Sequence, residues 1–374
     1  MKILLISNTN NIKNGGGNMT HELCSFLATR CDITLLLPKD APKYDYATYK
    51  IEYVLPTYIF DVKTPTILDY IMFEYSQTKG FDIVHSLFEF PYAFIGARLA
   101  EKYDKPFIIG TQGTYAIKPL FEFPQKYILK WIYNNADRIV SASQFTKDAI
   151  IEHSGTKTPI DIIHNGVNFA RFSRQKNIED IRTKYPGKQL LLTVGGFKPR
   201  KGQDIVLRAL GKVIAKRSDF HYLIVGPHEN RNEYIESLHA IIADKGLMDN
   251  VTFVGECSDD DIVRYFQACD IYVHTTRVVN WNFEGYGIVY LEAGACGKPS
   301  IAAHAGGAPD AVVDGETGII VPEEDVSATA LAIEKMLKSP ELARELGQGG
   351  RVFAENHDWS IIGMKYFDLY KKLL

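Results

Sequence analysis

Short apolar runs rich in β-branched residues alternate with longer amphipathic segments along this chain of 374 residues. Such alternation is typical of βαβ units, which build parallel sheets with helices on both faces. The runs fall into two sets, on either side of residues 164–188: 3–7, 33–37, 51–54, 82–85, 107–110 and 138–141, then 190–194, 222–225, 251–254, 271–274, 300–302 and 318–321. The pattern therefore predicts an α/β protein with two Rossmann-like domains, and the chain is long enough for each to have its own core.

The stretch FEGYGIVYLEAGA, at residues 283–295, has the features of a binding site. Glu284 and Glu292 are separated by seven residues that include Gly287, and an apolar run begins at Ile288. A glycine turn that opens a helix leaves backbone N–H groups without partners, and these groups and the helix dipole favour a phosphate. Nearby carboxylates suit sugar hydroxyls. The stretch fits a sugar joined to a phosphate, but its spacing fits a simple loop and a solvated helix residue equally well.

Two glycine-rich loops follow predicted first strands. Gly16 and Gly17 lie after the first strand of the chain, and Gly196 opens the sequence GFKPRKG after the first strand of the second set. Glycine lets the backbone approach a phosphate closely, and cations beside it strengthen the hydrogen bonds to an anion. Neither loop has the spacing GxGxxG, and each is also compatible with a plain turn or a solvated loop.

The stretch at 283–295 closely resembles the Glu-(seven residues)-Glu motif of retaining GT-B glycosyltransferases, specifically glycosyltransferase family four. Further matches to that family follow in the sequence: GKP at 297–299, AGG at 305–307 and DGETG at 314–318. The resemblance is strong over residues 137–325 and weaker over the first half of the chain.

This resemblance implies the GT-B fold, with the donor site in the cleft between two Rossmann-like domains. An N-terminal acceptor domain is expected at 1–170 and a C-terminal donor domain at 171–358. The final helix, 359–374, is expected to return to the first domain.

The resemblance also implies roles for the residues of the motif. Glu284 is expected to bind hydroxyls of the transferred sugar, and Glu292 is expected to bind the ribose of the nucleotide. The backbone of Gly287, Ile288 and Val289 is expected to hold the diphosphate.

The cations of the second glycine loop match those of the family only in part. Lys201 stands where the family has a lysine. Many members have an arginine where this chain has Gly196, so the task of that arginine is expected to pass to Arg200 or Lys198.

The first domain contributes four candidates by the same resemblance. Gly16 and Gly17 are expected to approach the phosphate or sugar of the donor. Gln112 stands where many members have a histidine, and it is expected to donate a hydrogen bond to a sugar hydroxyl. His85, at the end of a predicted strand, is a candidate for the acceptor or sugar pocket, although such histidines are more often satisfied within the fold.

The predicted reaction is the retaining transfer of a hexose from a UDP- or GDP-sugar to a hydroxyl of a glycan or lipid-linked acceptor, in cell-surface polysaccharide or glycolipid synthesis. Glu284, Lys201 and Arg200 are the catalytic candidates. Cations and backbone donors can stabilise the leaving diphosphate, so neither a metal nor a cofactor is expected. The alternatives are a sugar-nucleotide epimerase of GT-B fold and a non-catalytic sugar-nucleotide-binding module; the missing GxGxxG counts against NAD.

Charge and composition limit the partners and the location. A net charge of −3 argues against nucleic acid. Five cysteines without zinc-ligand spacing fit a reducing cytoplasm. The first apolar run is too short for a signal peptide, and no run spans a bilayer. The expected location is cytoplasmic.

The segment 118–133, KPLFEFPQKYILKWIY, mixes aromatic residues with Lys118, Lys126 and Lys130 and ends at Tyr133. On a helix, this mixture suits peripheral contact with the inner face of the membrane. Aromatic stripes at helical spacing more often pack on a sheet, and the pattern favours that interpretation.

Overall fold

The computed structural model describes residues 1–57, 80–227 and 233–374. The chain divides into two compact units, which are Met1–Asn165 together with Trp359–Leu374, and Gly166–Asp358. Each unit is built around a parallel β-sheet, so the predicted pair of Rossmann-like domains is confirmed.

The first unit contains seven described strands: β1 (Lys2–Ile6), β2 (Asp32–Pro38), β3 (Lys50–Leu55), β4 (Ile83–Ser86), β5 (Phe107–Thr111), β6 (Arg138–Ser141) and β7 (Ile160–Ile162). They lie parallel in the order β3-β2-β1-β4-β5-β6-β7. The six predicted strands are all present. The edge strand β7 was not predicted, because its three residues are too few to show a periodic pattern. The described helices of this unit are α1 (Gly15–Ala28), α2 (Ala93–Tyr103), α3 (Thr114–Ile117), α4 (Gln125–Asn134), α5 (Gln144–Ser154) and the C-terminal helix (Trp359–Leu373).

The second unit contains six described strands: β8 (Gln189–Val194), β9 (Phe220–Val225), β10 (Val251–Gly255), β11 (Ile271–His274), β12 (Ser300–Ala303) and β13 (Gly318–Val321). Their order is β10-β9-β8-β11-β12-β13, and all are parallel. Its described helices are α6 (Phe169–Ser173), α7 (Glu179–Arg182), α8 (Gln203–Val213), α9 (Glu233–Asp244), α10 (Asp259–Ala268), α11 (Ile288–Ala295), α12 (Ala308–Ala311), α13 (Val326–Lys338) and α14 (Pro340–Glu355). Every residue of β9 and β11 is buried, as expected for a parallel sheet covered on both faces.

The strand order of each sheet changes direction beside its first strand. β1 lies between β2 and β4, and β8 lies between β9 and β11. In open α/β sheets, ligands bind beyond the carboxyl ends of the strands at such a point. The loops after β8 and β11 are therefore the expected place for a site in the second unit, and the loops after β1 and β4 are the equivalent place in the first.

The C-terminal helix packs on α1 within the first unit. Gly363 makes this contact close, because a side chain there would collide with the ring of Phe26. The tertiary contact thus requires a residue of low helix propensity in the middle of this helix.

The segment 118–133 differs from the predicted single helix. It forms a 3₁₀ turn over Lys118–Phe121, and α4 then begins at Gln125. Pro124, directly before Gln125, cannot continue a helix from the preceding residues. Only part of the aromatic stripe packs inward: Tyr133 is buried together with the aliphatic Leu129 and Ile132, whereas Phe121, Phe123 and Tyr127 are exposed.

Candidate active site

The loop after β8 is fixed to the loop after β11. It runs through a 3₁₀ turn, Pro199–Lys201, and ends at Gly202, which has φ +70°. A side chain at Gly202 would collide with the backbone carbonyl of Thr275, so only glycine allows this approach. The Thr275 hydroxyl donates to the Gly202 carbonyl over 3.0 Å, and the Thr276 hydroxyl donates to the Arg200 carbonyl over 2.9 Å. These contacts therefore place the cations of the loop after β8 beside the loop after β11.

Glu284 accepts hydrogen bonds from two cations of the loop after β8, Lys201 and Arg200. Lys201 Nζ lies 2.5 Å from Oε2 of Glu284, and Arg200 Nη1 lies 3.1 Å from the same oxygen. The side chains of Lys201 and Glu284 are only 12% and 16% exposed. The main chain of Glu284 is also held, because its carbonyl accepts the N–H of Gly307 over 2.8 Å. Two predicted catalytic cations and a predicted catalytic carboxylate thus meet at one point.

The electrostatics of this cluster favour an ionised carboxylate. Burial acts to raise the pKa of Glu284, but the charge of Lys201 and the proximity of His274 and Arg200 hold it well below its usual range. Burial lowers the pKa of the Lys201 ammonium, and the Glu284 carboxylate opposes that shift. The opposing charges therefore stabilise each other in a site that excludes most water.

Helix α11 begins directly after a glycine turn, as predicted. Gly287 has φ +95°, and a side chain there would come within 2.6 Å of the Tyr290 ring. The N–H groups of Ile288 and Val289 lie in the first turn of α11, where a helix provides no internal acceptors. The structure thus gives Gly287, Ile288 and Val289 the geometry expected of an anion site, and their contact with a diphosphate stays a prediction.

Glu292 lies one turn further along α11, and its pKa shifts in the opposite direction from that of Glu284. Burial raises its pKa to about 7, with Arg171 acting in the opposite direction. The two glutamates of the motif therefore titrate in different pH ranges, although they stand only eight positions apart.

Gly196 and Lys198 complete the second glycine loop. A Cβ at Gly196 would meet open space, so its backbone is accessible, and its carbonyl accepts from Gln203 Nε2 over 3.3 Å. Lys198 is exposed, and among the described lysines and arginines the ion-pair partners of Glu284 are Lys201 and Arg200. Of the two residues expected to replace the family arginine, the geometry favours Arg200.

The first glycine loop opens α1 in the other unit. The N–H of Gly17 donates to the side chain of Asn14 over 2.7 Å, and a side chain at Gly17 would collide with the backbone of Asn11. Gly16 faces Phe88, whose ring would lie 3.0 Å from an added Cβ. The N–H of Gly17 thus caps its own helix, and the approach of Gly16 and Gly17 to the donor stays a prediction.

Gln112 is held by two neighbours in the first unit. Its side-chain oxygen accepts from Asn165 Nδ2 over 3.0 Å, and its backbone N–H lies 3.3 Å from each carboxylate oxygen of Glu89. Burial raises the pKa of Glu89 to about 7. The side-chain oxygen of Gln112 is therefore occupied, and its hydrogen bond to a sugar hydroxyl stays a prediction.

His85, the candidate for the acceptor or sugar pocket, lies inside the first unit. The ring is fully buried, its Nδ1 lies 2.7 Å from the Tyr370 hydroxyl, and it stacks on Tyr366 at 5.7 Å between centroids. Burial lowers its pKa to about 3. His85 therefore connects β4 to the C-terminal helix.

The described residues contain no metal site, and their main acidic run has a structural role. The run Asp259–Asp261 begins α10 behind the cap Ser258, where it complements the helix dipole. No group of three or more His, Cys, Asp or Glu in this part of the chain is arranged to hold a metal ion.

The sequence analysis did not select His274. This residue ends β11, and its Nε2 lies 3.7 Å from Oε2 of Glu284. Its position could have identified it as a site candidate, because a histidine at the carboxyl end of a central predicted strand lies where ligands bind.

The chain is similar to known glycosyltransferases. Residues 13–171 match the family model described as Glycosyltransferase Family 4, and residues 174–353 match that of Glycosyl transferases group 1. The chain is 26% identical, over 79% of its length and 77% of the relative's, to an uncharacterised glycosyltransferase of Methanocaldococcus jannaschii. It is 31% identical to a GDP-mannose-dependent α-(1-6)-phosphatidylinositol monomannoside mannosyltransferase of Mycolicibacterium smegmatis, over 64% of each chain, which is less than two thirds of that relative's length.

Among solved structures, Anabaena HepE in complex with UDP and glucose superposes with a TM-score of 0.84 at 20% identity, with both chains fully covered. That likeness shows the fold. In the described residues, no helix has both the length and the apolar character needed to cross a membrane.

The two parallel-sheet units and their superposition define a protein of the GT-B class. The two family models together account for nearly the whole chain, and the chain belongs to glycosyltransferase family 4, the group 1 glycosyl transferases. The resemblance found in the sequence is thereby confirmed.

Proposed function

We propose that this protein transfers a hexose, with retention of configuration, from a nucleoside diphosphate sugar to a hydroxyl of a glycan or lipid-linked acceptor. The observation that carries the proposal is the meeting of Lys201, Arg200 and Glu284 at the ends of β8 and β11, next to the first turn of α11. Two cations and a helix N-terminus suit a diphosphate, and the carboxylate suits the hydroxyls of the attached sugar.

In the proposed reaction, the bond between the anomeric carbon and the diphosphate oxygen breaks as the acceptor oxygen bonds to the same carbon. The acceptor's proton passes to the departing phosphate. Lys201, Arg200 and the N–H groups of Ile288 and Val289 stabilise the negative charge that develops on the diphosphate. These donors supply that stabilisation without a metal ion, so the proposed mechanism requires none.

Two relatives support the choice of donors to be tested. The Anabaena protein was solved with UDP and glucose, and the Mycolicibacterium relative is described as GDP-mannose-dependent. A UDP-hexose or a GDP-hexose is therefore the proposed donor, in the synthesis of a glycolipid or a cell-surface polysaccharide at the cytoplasmic face of the membrane.

The test is nucleotide release from UDP-glucose, UDP-galactose and GDP-mannose, with and without glycan and glycolipid acceptors, by the full chain. Release that depends on the acceptor, with a product of retained configuration, is the expected result. Interconversion of donor sugars without an acceptor would indicate an epimerase instead. Binding without either reaction would indicate a non-catalytic module.

The acceptor side of the proposal rests on an aromatic surface formed by Phe121, Phe123 and Tyr127. Phe123 is 81% exposed, Phe121 is 53% exposed and Tyr127 is 60% exposed. Lys126 Nζ lies 4.9 Å from the centre of the Tyr127 ring, so a cation accompanies the exposed rings. We propose that this surface docks on an anionic bilayer, where rings occupy the interface and each lysine near the surface contributes about 1 kcal/mol.

The measurement is co-sedimentation with phosphatidylglycerol liposomes at low and high salt. Changing Lys118, Lys126 and Lys130 together to glutamate should abolish binding. Changing the exposed second-unit lysines Lys212, Lys335 and Lys338 to glutamate is the charge-matched control, which should retain it. Equal binding by both triple variants would exclude docking through the aromatic surface and would leave the proposed transfer reaction standing.

A further inference from the structure

The imidazole of His274 lies beside Glu284, and it is buried without a hydrogen-bond partner among the described residues. Its side chain is fully buried at the end of β11, between the rings of Tyr272 and Tyr290, whose centroids lie 6.2 and 5.6 Å away. Within the described residues, neither ring nitrogen has a hydrogen-bond partner. The nearest carboxylate oxygen, Oε2 of Glu284, is 3.7 Å from Nε2, which is beyond hydrogen-bond distance.

A buried polar group without a partner destabilises a fold, and an apolar side chain at this position avoids that cost. Burial also keeps the ring neutral: it lowers the pKa of His274 to about 4, with Lys201 and Arg200 acting in the same direction and Glu284 against it. A neutral imidazole carries one N–H donor. The chain therefore keeps a donor without a partner on a ring whose Nε2 lies 3.7 Å from the Glu284 carboxylate.

The partners of Glu284 explain why such a donor is useful. Oε2 of Glu284 is occupied by Lys201 at 2.5 Å and Arg200 at 3.1 Å. Under the proposed function, an incoming diphosphate competes for both cations. The carboxylate then loses its strongest partners and faces a second anion at close range, which is unfavourable in a poorly solvated site.

We propose that His274 is a positioning residue for Glu284: in the donor-bound state its Nε2–H donates to the Glu284 carboxylate that the diphosphate has displaced from Lys201 and Arg200. The inference rests on the proposed function. The required movement is about 1 Å, from 3.7 Å to ordinary hydrogen-bond length, and a small side-chain rotation provides it. This hydrogen bond keeps the Glu284 carboxylate oriented toward the sugar hydroxyls despite electrostatic repulsion by the diphosphate.

Two substitutions separate this role from simple packing. His274→Leu fills the site without a donor, and His274→Gln keeps an N–H group close to the position of Nε2. For His274→Leu we expect an unfolding midpoint no lower than that of the wild type and a Kd for UDP or GDP within twofold. We expect its kcat to fall at least tenfold while the donor KM changes less than threefold. His274→Gln should recover kcat to within about threefold of the wild type.

A spectroscopic readout follows the same hydrogen bond without turnover. In the full chain with ¹⁵N-labelled histidine, the Nε2–H proton of His274 should move downfield when UDP or GDP saturates the site. The shift should be absent in Glu284→Ala, which has no side-chain acceptor.

Wild-type kcat in His274→Leu, equal losses in nucleotide Kd and kcat, or no recovery in His274→Gln would each overturn the positioning role. An unchanged Nε2–H resonance on saturation would do the same. Absence of any transfer by the wild-type chain would overturn the proposed function itself, and the two failures are therefore distinguishable.

Discussion

Lys201 Nζ lies 2.5 Å from Oε2 of Glu284, although the two residues stand 83 positions apart in the sequence. Both side chains are largely buried, and the same carboxylate oxygen also accepts from Arg200. The site thus holds its cations in place through an internal carboxylate. An anion that binds to Lys201 competes with that carboxylate, and this competition governs what the variants below should do.

Lys201→Ala should lower kcat/KM for the donor by the equivalent of about 2–4 kcal/mol, because it removes a full charge from a poorly solvated anion site. Lys198→Ala is the matched control from the same loop. Lys198 is exposed and should be replaceable with a change of less than about threefold. Steady-state kinetics and thermal unfolding of both variants provide the check. Equal effects of the two substitutions would contradict the assignment of Lys201.

Glu284→Gln should lower kcat by about a hundredfold or more, since it weakens contacts to the reacting sugar, yet it should not weaken binding of bare UDP or GDP. Removing the carboxylate frees Lys201 and Arg200 for the diphosphate, so we expect affinity for the bare nucleotide to stay the same or to increase. Isothermal calorimetry measures this directly. A large loss of nucleotide affinity would show that Glu284 binds the nucleotide and not the sugar.

Glu292 should make nucleotide binding depend on pH. Because burial raises its pKa to about 7, the carboxylate is mostly protonated at pH 6 and mostly ionised at pH 8. If the ionised form accepts from the ribose, affinity should rise about tenfold across this range. The same titration with Glu292→Gln is the control, because the nucleotide itself ionises equally in both experiments. Parallel profiles for the two proteins would contradict a ribose contact through Glu292.

Chelation by EDTA should leave transfer activity within about twofold, because the proposed stabilisation of the leaving group comes from Lys201, Arg200 and helix N–H groups. The assay compares initial rates before and after dialysis against EDTA. Loss of all activity, restored by manganese or magnesium, would show that the proposed metal-independent mechanism is wrong.

Glu89 should make the first unit less stable as the pH rises. Burial raises its folded-state pKa from 4.5 to about 7. Between those values the folded state binds more protons than the unfolded state, so the free energy of unfolding falls with rising pH, by a contribution on the order of 2 kcal/mol. Glu89→Gln should lose this contribution. Urea unfolding at pH 5 and pH 8 measures the difference, and an identical pH dependence in both proteins would refute it.

Periodicity in the sequence was sufficient to predict the two sheets. The buried strands β1, β9 and β11 are apolar over nearly their whole length, so each is visible from its own residues, and the short edge strand β7 is not. The glycine turn before α11 was predictable for the same reason, since Gly287 and the apolar run after it are neighbours in the chain. Features that depend on neighbouring residues can be read from the sequence alone.

Tertiary packing decided what the sequence left open. It buried His85 against Tyr370, and it exposed Phe121 and Phe123 while burying Tyr133. It also brought His274 within 3.7 Å of Glu284.

The protonation states of the motif were decided by packing as well. Glu284 and Glu292 are chemically identical residues in one short motif, yet Lys201 lowers the pKa of the first and burial raises that of the second. The sequence determined that the two carboxylates frame a glycine turn and a helix start. Their charges were settled only by the fold, because the partner and the loss of solvent that shift a pKa come from residues distant in the chain.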